Sequence, residues 1–482
     1  MYVLKEYLKE ETELIRDPIY GFIELPHSLK EVVDHILVQR LRWISQLPLE
    51  QLVYPSAQHS RFEHSLGTMY LAMQVAISLV HKSFELLKEA KDEIQELRGL
   101  SEDDFKKIFI LSAGLIGLLH DVGHAPFSHT LEDAFNFYTF KKDITFNHET
   151  LSFLISKNIL FSIEIASEIK SIVLEVLNKK KKLKILTGIS KVLRSLIDGP
   201  IDVDKGDYLL RDSYHCGVIY GIYDKDRLWR HVLLSEDFTL CVSEKGALEA
   251  WSLRFARYKM FKNVYKHHVR NITDALLGDA IARCLEDEEI LKDEKIKDSL
   301  LRGIYPFQNW HLDDVDQLNE MEVAELSLWT DDGMLKSIDK ISRDFQIREA
   351  QEDIQRFKSR KLPKRFLKVP LTIYSIDKTQ IQKLRKVVEN FKEICGTRLF
   401  FMWFREPPFP LYDEDTLKLK VKLNEGGEIS IVEFLGFDVN EETMEEKVLP
   451  SHFVIQIFAD EGNSCANMKD KIEKEVKEIF EG

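Results

Sequence analysis

The amino-acid sequence predicts a mainly α-helical protein with a smaller C-terminal α+β lobe. Between about residues 26 and 365, apolar residues recur at spacings of three and four, as on the buried face of a helix. After residue 366, runs rich in β-forming residues surround a helical segment, which is typical of an α+β lobe. We therefore divide the 482 residues into a helical domain at 1–365 and a lobe at 366–482.

The first domain is predicted to open with a short strand region and to continue as helices. Proline, glycine and alternating apolar residues indicate a turn and a strand at 17–25. Helical periodicity follows over 28–47, 64–90 and 105–120. Gly123 and Pro126 then interrupt the helical pattern, and the basic run at 178–184 is predicted to be a solvated loop or helix end.

The predicted lobe contains several strands and two helices. Strands are expected at 366–376, 398–404, 416–423, 428–435 and 452–459. A helix is expected at 377–394, and a second from about 466 to the C terminus.

Composition excludes some classes of function. Asp and Glu number 81 against 67 Lys and Arg, so the net charge is −14, which argues against nucleic-acid binding through bulk charge. Single-strand binding would need a separate basic groove. The five cysteines occur singly without a CxxC pair, so neither a zinc ribbon nor a disulfide framework is predicted. The N terminus is too charged for a signal peptide, and no apolar run reaches the ~18 residues of a membrane helix, so we expect a cytoplasmic protein.

One stretch concentrates ionisable residues directly after a buried-looking helix. Residues 118–129 read LLHDVGHAPFSH and contain His120, Asp121, His124 and His129. Further candidates lie in HSRFEHSLG at 59–67, in NHE at 147–149 and in IDVDKGDYLLRD at 201–212. Imidazole and carboxylate together suit Zn, Mn or Fe, and ligands from three helix ends can surround one ion. A lone histidine in such a place is more often a buried structural residue, so it is the combination that indicates a metal.

A metal in this setting would suit phosphate chemistry, because it polarises phosphorus–oxygen bonds and acidifies bound water. A phosphate substrate also needs further cations, and Arg61 and Lys205 lie in the relevant segments. The leaving group needs a proton, for which His124, His129 and His148 are all candidates.

These four segments, in this order, resemble the dNTP triphosphohydrolase branch of the HD phosphohydrolase superfamily. The resemblance extends over about residues 14–275. It implies hydrolysis of a dNTP to deoxynucleoside and triphosphate, with one divalent metal ion (Mn, Fe, Zn or Mg). The implied metal ligands are His64, His120, Asp121 and Asp204.

The resemblance also implies roles for the neighbouring residues. His129 matches the general acid and Glu132 the carboxylate that orients it, while His124 and His148 match positions that contact the phosphates. Phosphate-binding positions correspond to Arg61 and Lys205, and positions around the deoxyribose to Gln46, Tyr208 and Asp212. Vertebrate members carry a tryptophan where this chain has Gly206.

A control site is implied as well. Asp34, Gln39 and Arg42 match positions that bind a guanine nucleotide, GTP or dGTP with Mg, and join subunits into a dimer or tetramer. The basic segment at 362–368 resembles a second part of that site, with Lys364, Arg365 and Lys368. The residues alone favour the plainer interpretation of 28–47, an amphipathic helix with solvated polar side chains.

Two alternatives to a dNTP triphosphohydrolase remain open at the level of sequence. One is another HD phosphohydrolase, acting on a nucleoside monophosphate, a cyclic nucleotide or a nucleic-acid end. The other is a non-catalytic nucleotide-sensing oligomer. Tyr208 and Asp212 favour the triphosphohydrolase, because the first alternative shares the metal site but lacks the sugar pocket.

Overall fold

The mainly helical fold class is confirmed by the computed structural model, which describes residues 2–134, 146–179, 185–286, 317–437, 451–460 and 467–481. The helices within these ranges are α1 Leu4–Leu8, α2 Lys30–Asp34, α3 Ile36–Gln39, α4 Arg61–Lys82, α5 Phe84–Asp92, α6 Glu102–Leu119, α7 His129–Asp133, α8 His148–Ser162, α9 Ser167–Leu177, α10 Gly188–Ile197, α11 Val203–Cys216, α12 Lys225–Arg230, α13 Glu244–Met260, α14 His268–Glu286, α15 Glu320–Ser327, α16 Asp331–Asp344, α17 Arg348–Ser359, α18 Lys378–Cys395, α19 Glu414–Lys418, α20 Ile431–Phe434 and α21 Lys469–Glu481. The strands are β1 Thr12–Asp17, β2 Gly21–Pro26, β3 Val232–Leu234, β4 Leu240–Ser243, β5 Lys364–Ile373, β6 Phe400–Arg405, β7 Lys420–Lys422, β8 Glu428–Ser430 and β9 Ser451–Ala459.

The long helices lie close to where the apolar periodicity predicts them, whereas the segment at 28–47 does not form one helix. It is split into α2 and α3 because His35 has an extended backbone, with φ −61° and ψ 135°. Short 3₁₀ turns precede α2 and follow α3. Asp34 and Gln39, two of the predicted control residues, therefore lie on two short helices.

The core of the helical part is built on α4 and α6, which are buried along most of their length. The two helices pack closely at Gly117, where a Cβ would come within 2.7 Å of the Thr68 carbonyl oxygen. Helix α11 packs on α4 near its N-terminal end, at Gly67. This packing brings the start of α4, the end of α6 and the start of α11 to one place.

Two sheets organise the C-terminal residues. An antiparallel sheet in the order β5-β9-β6 packs its apolar residues with α18, α21 and part of α14. A second sheet has the order β3-β4-β7-β8, in which β4 and β7 are parallel. This second sheet combines strands from both sides of the predicted boundary at residue 366. The strands predicted at 416–423 and 428–435 are shorter than expected, because α19 and α20 occupy part of each segment.

Three further predictions concern single features. Most of the basic run at 178–184 lies outside the described residues. In the part of the chain that the structure describes, no helix has both the length and the apolar character needed to cross a membrane. Cys216, Cys241 and Cys284 are buried, whereas Cys395 is disulfide-bonded, which the isolated cysteines did not predict.

Candidate active site

Three helix ends bring the predicted metal ligands together. His64 lies in the first turn of α4, His120 and Asp121 follow α6, and Asp204 lies in the first turn of α11. Asp204 Oδ1 is 3.1 Å from His64 Nε2 and 3.6 Å from His120 Nε2. Asp121 Oδ1 is 3.5 Å from His120 Nε2, and its Oδ2 is 4.0 Å from His64 Nε2.

The tautomers of His64 and His120 are fixed by hydrogen bonds at Nδ1, on the side of each ring that faces away from the ligand cluster. His64 Nδ1 donates to Asp207 at 2.9 Å, and His120 Nδ1 donates to the Gly117 carbonyl at 2.8 Å. In the neutral imidazole that binds a metal, each Nε2 is consequently an acceptor, and both Nε2 atoms are buried without a hydrogen-bond partner. Acceptor nitrogens that face a carboxylate need a cation between them, so this donor set fits a divalent metal ion.

The electrostatics of the cluster also favour a cation. Burial alone would lower the pKa of His64, but Asp204 and Asp207 outweigh it and raise the pKa to about 10. The ligand cluster therefore concentrates negative charge in a place where little water can screen it.

Arg61 lies beside this cluster and contacts one of its carboxylates. Its Nη1 donates to Asp121 Oδ2 at 2.8 Å, and its Nε donates to Ser128 Oγ at 3.0 Å. The guanidinium is buried, and its remaining donors are available to a phosphate.

A group of histidines adjoins the metal ligands. The rings of His124 and His148 stack with centroids 4.2 Å apart. Glu132 Oε2 accepts from Nδ1 of His148 at 2.9 Å and from Nδ1 of His129 at 3.2 Å. Burial favours the neutral acid, but these two histidines hold the pKa of Glu132 well below its usual range. The ionised Glu132 thus orients His129. The His129 side chain is 61% exposed, so its Nε2 is accessible to a substrate.

A third set of residues continues along α11 from the metal ligand. Asp204, Tyr208 and Asp212 are spaced four apart and share one helix face over about 12 Å. The Tyr208 ring lies 6.4 Å from that of His64. Asp212 accepts from the Tyr265 hydroxyl at 2.7 Å and, on its other oxygen, from His59 Nε2 at 2.8 Å.

Comparison with protein families agrees with this geometry. A family profile described as HD domain matches residues 61–211, which contain all four predicted metal ligands. The chain contains an HD domain. A second profile, described as HD associated region, matches residues 223–299. The resemblance predicted from the motifs is thereby confirmed for the HD domain.

Relatives of the HD domain include proteins with and without a named activity. An uncharacterized protein of Methanocaldococcus jannaschii is 31% identical over 313 residues, which is 64% of this chain and 58% of the relative. The deoxynucleoside triphosphate triphosphohydrolase SAMHD1 of Homo sapiens is 30% identical over 304 residues, 58% of this chain and 45% of the relative. The matched region thus spans about half the length of these curated relatives.

A solved structure shares the fold over nearly the whole chain. A phosphohydrolase from Bacteroides thetaiotaomicron superposes with a TM-score of 0.62 at 20% identity, covering 94% of this chain and all of the other. At this identity the likeness shows a shared fold.

Gln46 and Lys205, two predicted substrate-binding residues, differ in whether their polar atoms already have hydrogen-bond partners. Gln46 is buried beside His59, and its Oε1 has no hydrogen-bond partner. The Lys205 ammonium is already engaged, since it donates to Asp202 and, at 3.2 Å, to the Gly199 carbonyl. A phosphate at Lys205 would have to share the ammonium with Asp202.

The position of Gly206 leaves no room for a side chain. A Cβ at Gly206 would lie 2.4 Å from Cζ2 of Trp229, a residue of α12. The space that a side chain would need here is thus filled by a tryptophan from elsewhere in the chain.

Some functional candidates were missed at the level of sequence. Asp207, which orients His64, lies three residues after a recognised ligand and could have been found by its helical spacing. Tyr265 and Arg257 had no such local signal. Burial lowers the pKa of Arg257, but the electrostatic attraction of Tyr208 and nearby carboxylates outweighs it and raises the pKa. Both residues reach the site only through the packing of α13 and the turn after it.

The predicted control residues lie in two places. Arg42 Nε donates to Gln39 Oε1 at 2.7 Å, and the Arg42 guanidinium lies 3.7 Å from the Phe62 ring centroid. Lys364 and Arg365 begin β5 and line a cavity of about 340 Å³ with Arg360 and His268. Lys368 lies on the same strand, 3.6 Å from Glu406. Asp34 ends α2 and is exposed.

Proposed function

We propose that this chain is a metal-dependent phosphohydrolase that converts a dNTP and water into deoxynucleoside and triphosphate. The observation that carries the proposal is the single face of α11 that bears Asp204, Tyr208 and Asp212. A metal ligand is followed at two successive helical turns by an aromatic ring and a carboxylate, which suit a sugar. The names of relatives such as human SAMHD1 support the same substrate class.

The metal site belongs to the phosphate end of the substrate. His64, His120 and Asp204 lie close enough to share one divalent ion. Asp121, with Oδ1 3.5 Å from His120 Nε2, would complete the set, and Mn, Fe, Zn and Mg are all candidates. Such an ion would supply Lewis-acid polarisation of a phosphoryl oxygen and acidification of water. Arg61, Lys205 and the stacked pair His124 and His148 would bind the phosphate oxygens and stabilise the charge that develops on them.

The leaving group is the 5′ oxygen of the deoxynucleoside, and it needs a proton. We assign its delivery to His129 Nε2, because Glu132 accepts from Nδ1 on the opposite side of the ring. Desolvation by the surrounding protein lowers the pKa of His129, and the ionised Glu132 counteracts this by favouring the imidazolium that delivers the proton. Since His129 is largely exposed, the incoming substrate would cover it.

The sugar end of the substrate would lie against α11. The Tyr208 ring would pack beneath the deoxyribose and exclude a 2′-hydroxyl, and Gln46 would offer its unpaired amide oxygen. Asp212 already accepts two hydrogen bonds, but a carboxylate has sites for about four, so it can also accept from the 3′-hydroxyl.

Regulation by a guanine nucleotide forms a second part of the proposal. Asp34, Gln39 and Arg42 would bind GTP or dGTP with Mg, and Lys364, Arg365 and Lys368 would supply cations to the same site in a homo-oligomer. The cavity that Lys364 and Arg365 line carries several basic groups, which suits an anionic ligand. A cytoplasmic location, where dNTPs occur, accompanies this proposal.

Product analysis tests the reaction. The purified protein is incubated with Mn or Mg and each dNTP, alone and with GTP or dGTP, and the products are separated by chromatography. We expect deoxynucleoside and triphosphate, lost in His120→Ala and Asp121→Ala and retained in Asp332→Asn, a change at an exposed carboxylate. Release of diphosphate or monophosphate instead would favour another HD phosphohydrolase, and binding without turnover would favour a nucleotide sensor.

A further inference from the structure

Asp331 begins α16, and its carboxylate connects two loops that carry residues of the candidate active site. Oδ1 accepts the backbone N–H of Phe127 at 2.8 Å, and Oδ2 accepts the backbone N–H of Ser45 at 2.8 Å. The donors are 204 and 286 residues away in the chain. Both oxygens of one side chain are thus used to hold two distant backbone segments together.

The first segment is a strained turn directly before His129. Phe127 and Ser128 have φ of 56° and 49°, a left-handed conformation that residues with a Cβ rarely adopt. Two consecutive residues remain there only when their surroundings hold them. One restraint is the bond from Phe127 to Asp331, and another is the bond from Arg61 to Ser128 Oγ. The direction in which the chain enters α7 depends on both.

The second segment runs beside the start of α4. Ser45 pairs with Ser60 in an antiparallel bridge, and the Arg61 N–H donates to the Ile44 carbonyl at 2.9 Å. Holding the Ser45 N–H therefore fixes Gln46, the next residue, and the backbone of Arg61 across the bridge.

The segment that contains Asp331 is itself anchored to the metal-site loop. The fully buried Arg40 donates to the Trp329 carbonyl at 3.3 Å and to the carbonyls of Val122 and His124 at 2.7 Å and 3.1 Å. The position of Asp331 is thereby tied to the loop that follows the metal ligands.

We propose that Asp331 is a positioning residue that sets the placement of the proton-transferring turn at 127–129 relative to the phosphate-binding segment at 44–61. It acts through two backbone N–H groups and contacts no reacting atom. The consequence for catalysis rests on the proposed function, in which His129 protonates the leaving group.

The test uses two variants and a neighbour as a control. Asp331→Ala removes both acceptors, whereas Asp331→Asn keeps one acceptor and turns an amide N–H toward the other donor. Asp332→Ala is the matched control, because Asp332 lies next in α16, is exposed and pairs only with Lys336 among the contacts described. All proteins are prepared full-length with Mn, and their metal content is measured first.

Amide hydrogen exchange tests the two contacts without any assay of activity. In Asp331→Ala we expect faster exchange in peptides that cover 122–134 and 44–50, a smaller effect in Asp331→Asn, and no change in the control. Exchange in α4 and α6 should stay as in the wild type. Unchanged exchange in both loops of Asp331→Ala would overturn the proposal.

Kinetics tests the consequence for proton transfer. With a dNTP we expect kcat to fall about tenfold or more in Asp331→Ala, with metal content unchanged. With a dNTP analogue whose bridging 5′ oxygen is sulfur, the thiolate leaves without a proton, so the loss should be several-fold smaller. A loss below twofold, or an equal loss for both leaving groups, would reject the positioning role.

The two proposals fail in different ways. If the wild type hydrolyses no dNTP, the proposed function is wrong, and the exchange experiment still decides whether Asp331 holds the two loops. If the wild type is active and Asp331→Ala equals it in exchange and in kcat, only the positioning role is rejected.

Discussion

The Nδ1–H of His64 is donated to Asp207 at 2.9 Å, and this contact leaves the opposite ring nitrogen facing Asp204. Asp207 is in turn held by Arg211 through two bonds of 2.8 and 2.9 Å, and Arg211 donates to Asp17 at 2.8 Å. A buried chain of alternating charge thus reaches from Asp17, at the end of β1, to the metal site and fixes one ligand.

The first prediction concerns this chain. Asp207→Asn should weaken Mn binding about 10–100-fold, because the amide no longer fixes the His64 tautomer or supports its basicity. Titration calorimetry with Mn measures the affinity, with Asp332→Asn as the control. Wild-type affinity in a folded Asp207→Asn protein would show that the tautomer of His64 is fixed by other contacts.

The metal ligands could be predicted from the sequence because each lies at the end of a helix with clear apolar periodicity. His120 and Asp121 end one such helix, and His64 begins another, so local patterns place them. Asp331 had no such signal, since it reaches the site across more than 200 residues through backbone donors that carry no side-chain pattern.

Two errors in the predicted fold also concern features that local sequence patterns do not specify. Strand β7 has three residues and pairs in parallel with β4, a partner almost 180 residues earlier, so its length depends on tertiary contacts. The break at His35 was missed because the apolar spacing continues through it, although the backbone is extended there.

A second prediction links metal to stability. Mn at a hundred times its Kd should raise the free energy of unfolding by about 2.7 kcal/mol if it binds only the folded state. His64→Ala should abolish this increment, whereas His81→Ala, at the far end of α4, should keep it. Urea unfolding at fixed pH with Mn or with EDTA measures the difference, and an equal increment in His64→Ala would place the metal elsewhere.

A third prediction separates proton transfer from binding. His129→Ala should lower kcat roughly 10²–10⁴-fold, with a small change in KM, because a general acid acts mainly in the transition state. Glu132→Gln should lower kcat less, and its effect should be smaller in the His129→Ala background, where only the contact of Glu132 with His148 remains. Steady-state kinetics on the four proteins checks the pattern, and additive losses would mean that Glu132 acts independently.

A fourth prediction concerns pH and stability. Burial, with His59 and Arg211 nearby, lowers the pKa of His215 from its ordinary 6.5 to about 4. Between these values the unfolded chain binds the proton and the folded protein does not, so this group's contribution is complete above pH 6.5 and is lost as the pH falls toward 4. The unfolding free energy of the wild type should fall faster than that of His215→Asn over this range. Parallel pH profiles in urea unfolding would contradict the assignment.

The last prediction concerns the close packing of α4 on α11. Replacing Gly by Ala normally stabilises a helix. A Cβ at Gly67, however, would lie 2.0 Å from Asp207 Oδ1 and 2.3 Å from Arg211 Nη2. We expect Gly67→Ala to destabilise the protein by about 1–3 kcal/mol and also to weaken Mn binding, because Asp207 must move.

Two other glycines provide the controls for this change. Gly114→Ala should also cost stability, since a Cβ there meets the Met73 side chain at 2.9 Å, but it should leave Mn affinity unchanged because Met73 supports no metal ligand. Gly99→Ala meets nothing within 4 Å and should be nearly neutral in both measurements. Mn affinity lowered equally in Gly67→Ala and Gly114→Ala would mean that overpacking of α4, and not displacement of Asp207, disturbs the metal site.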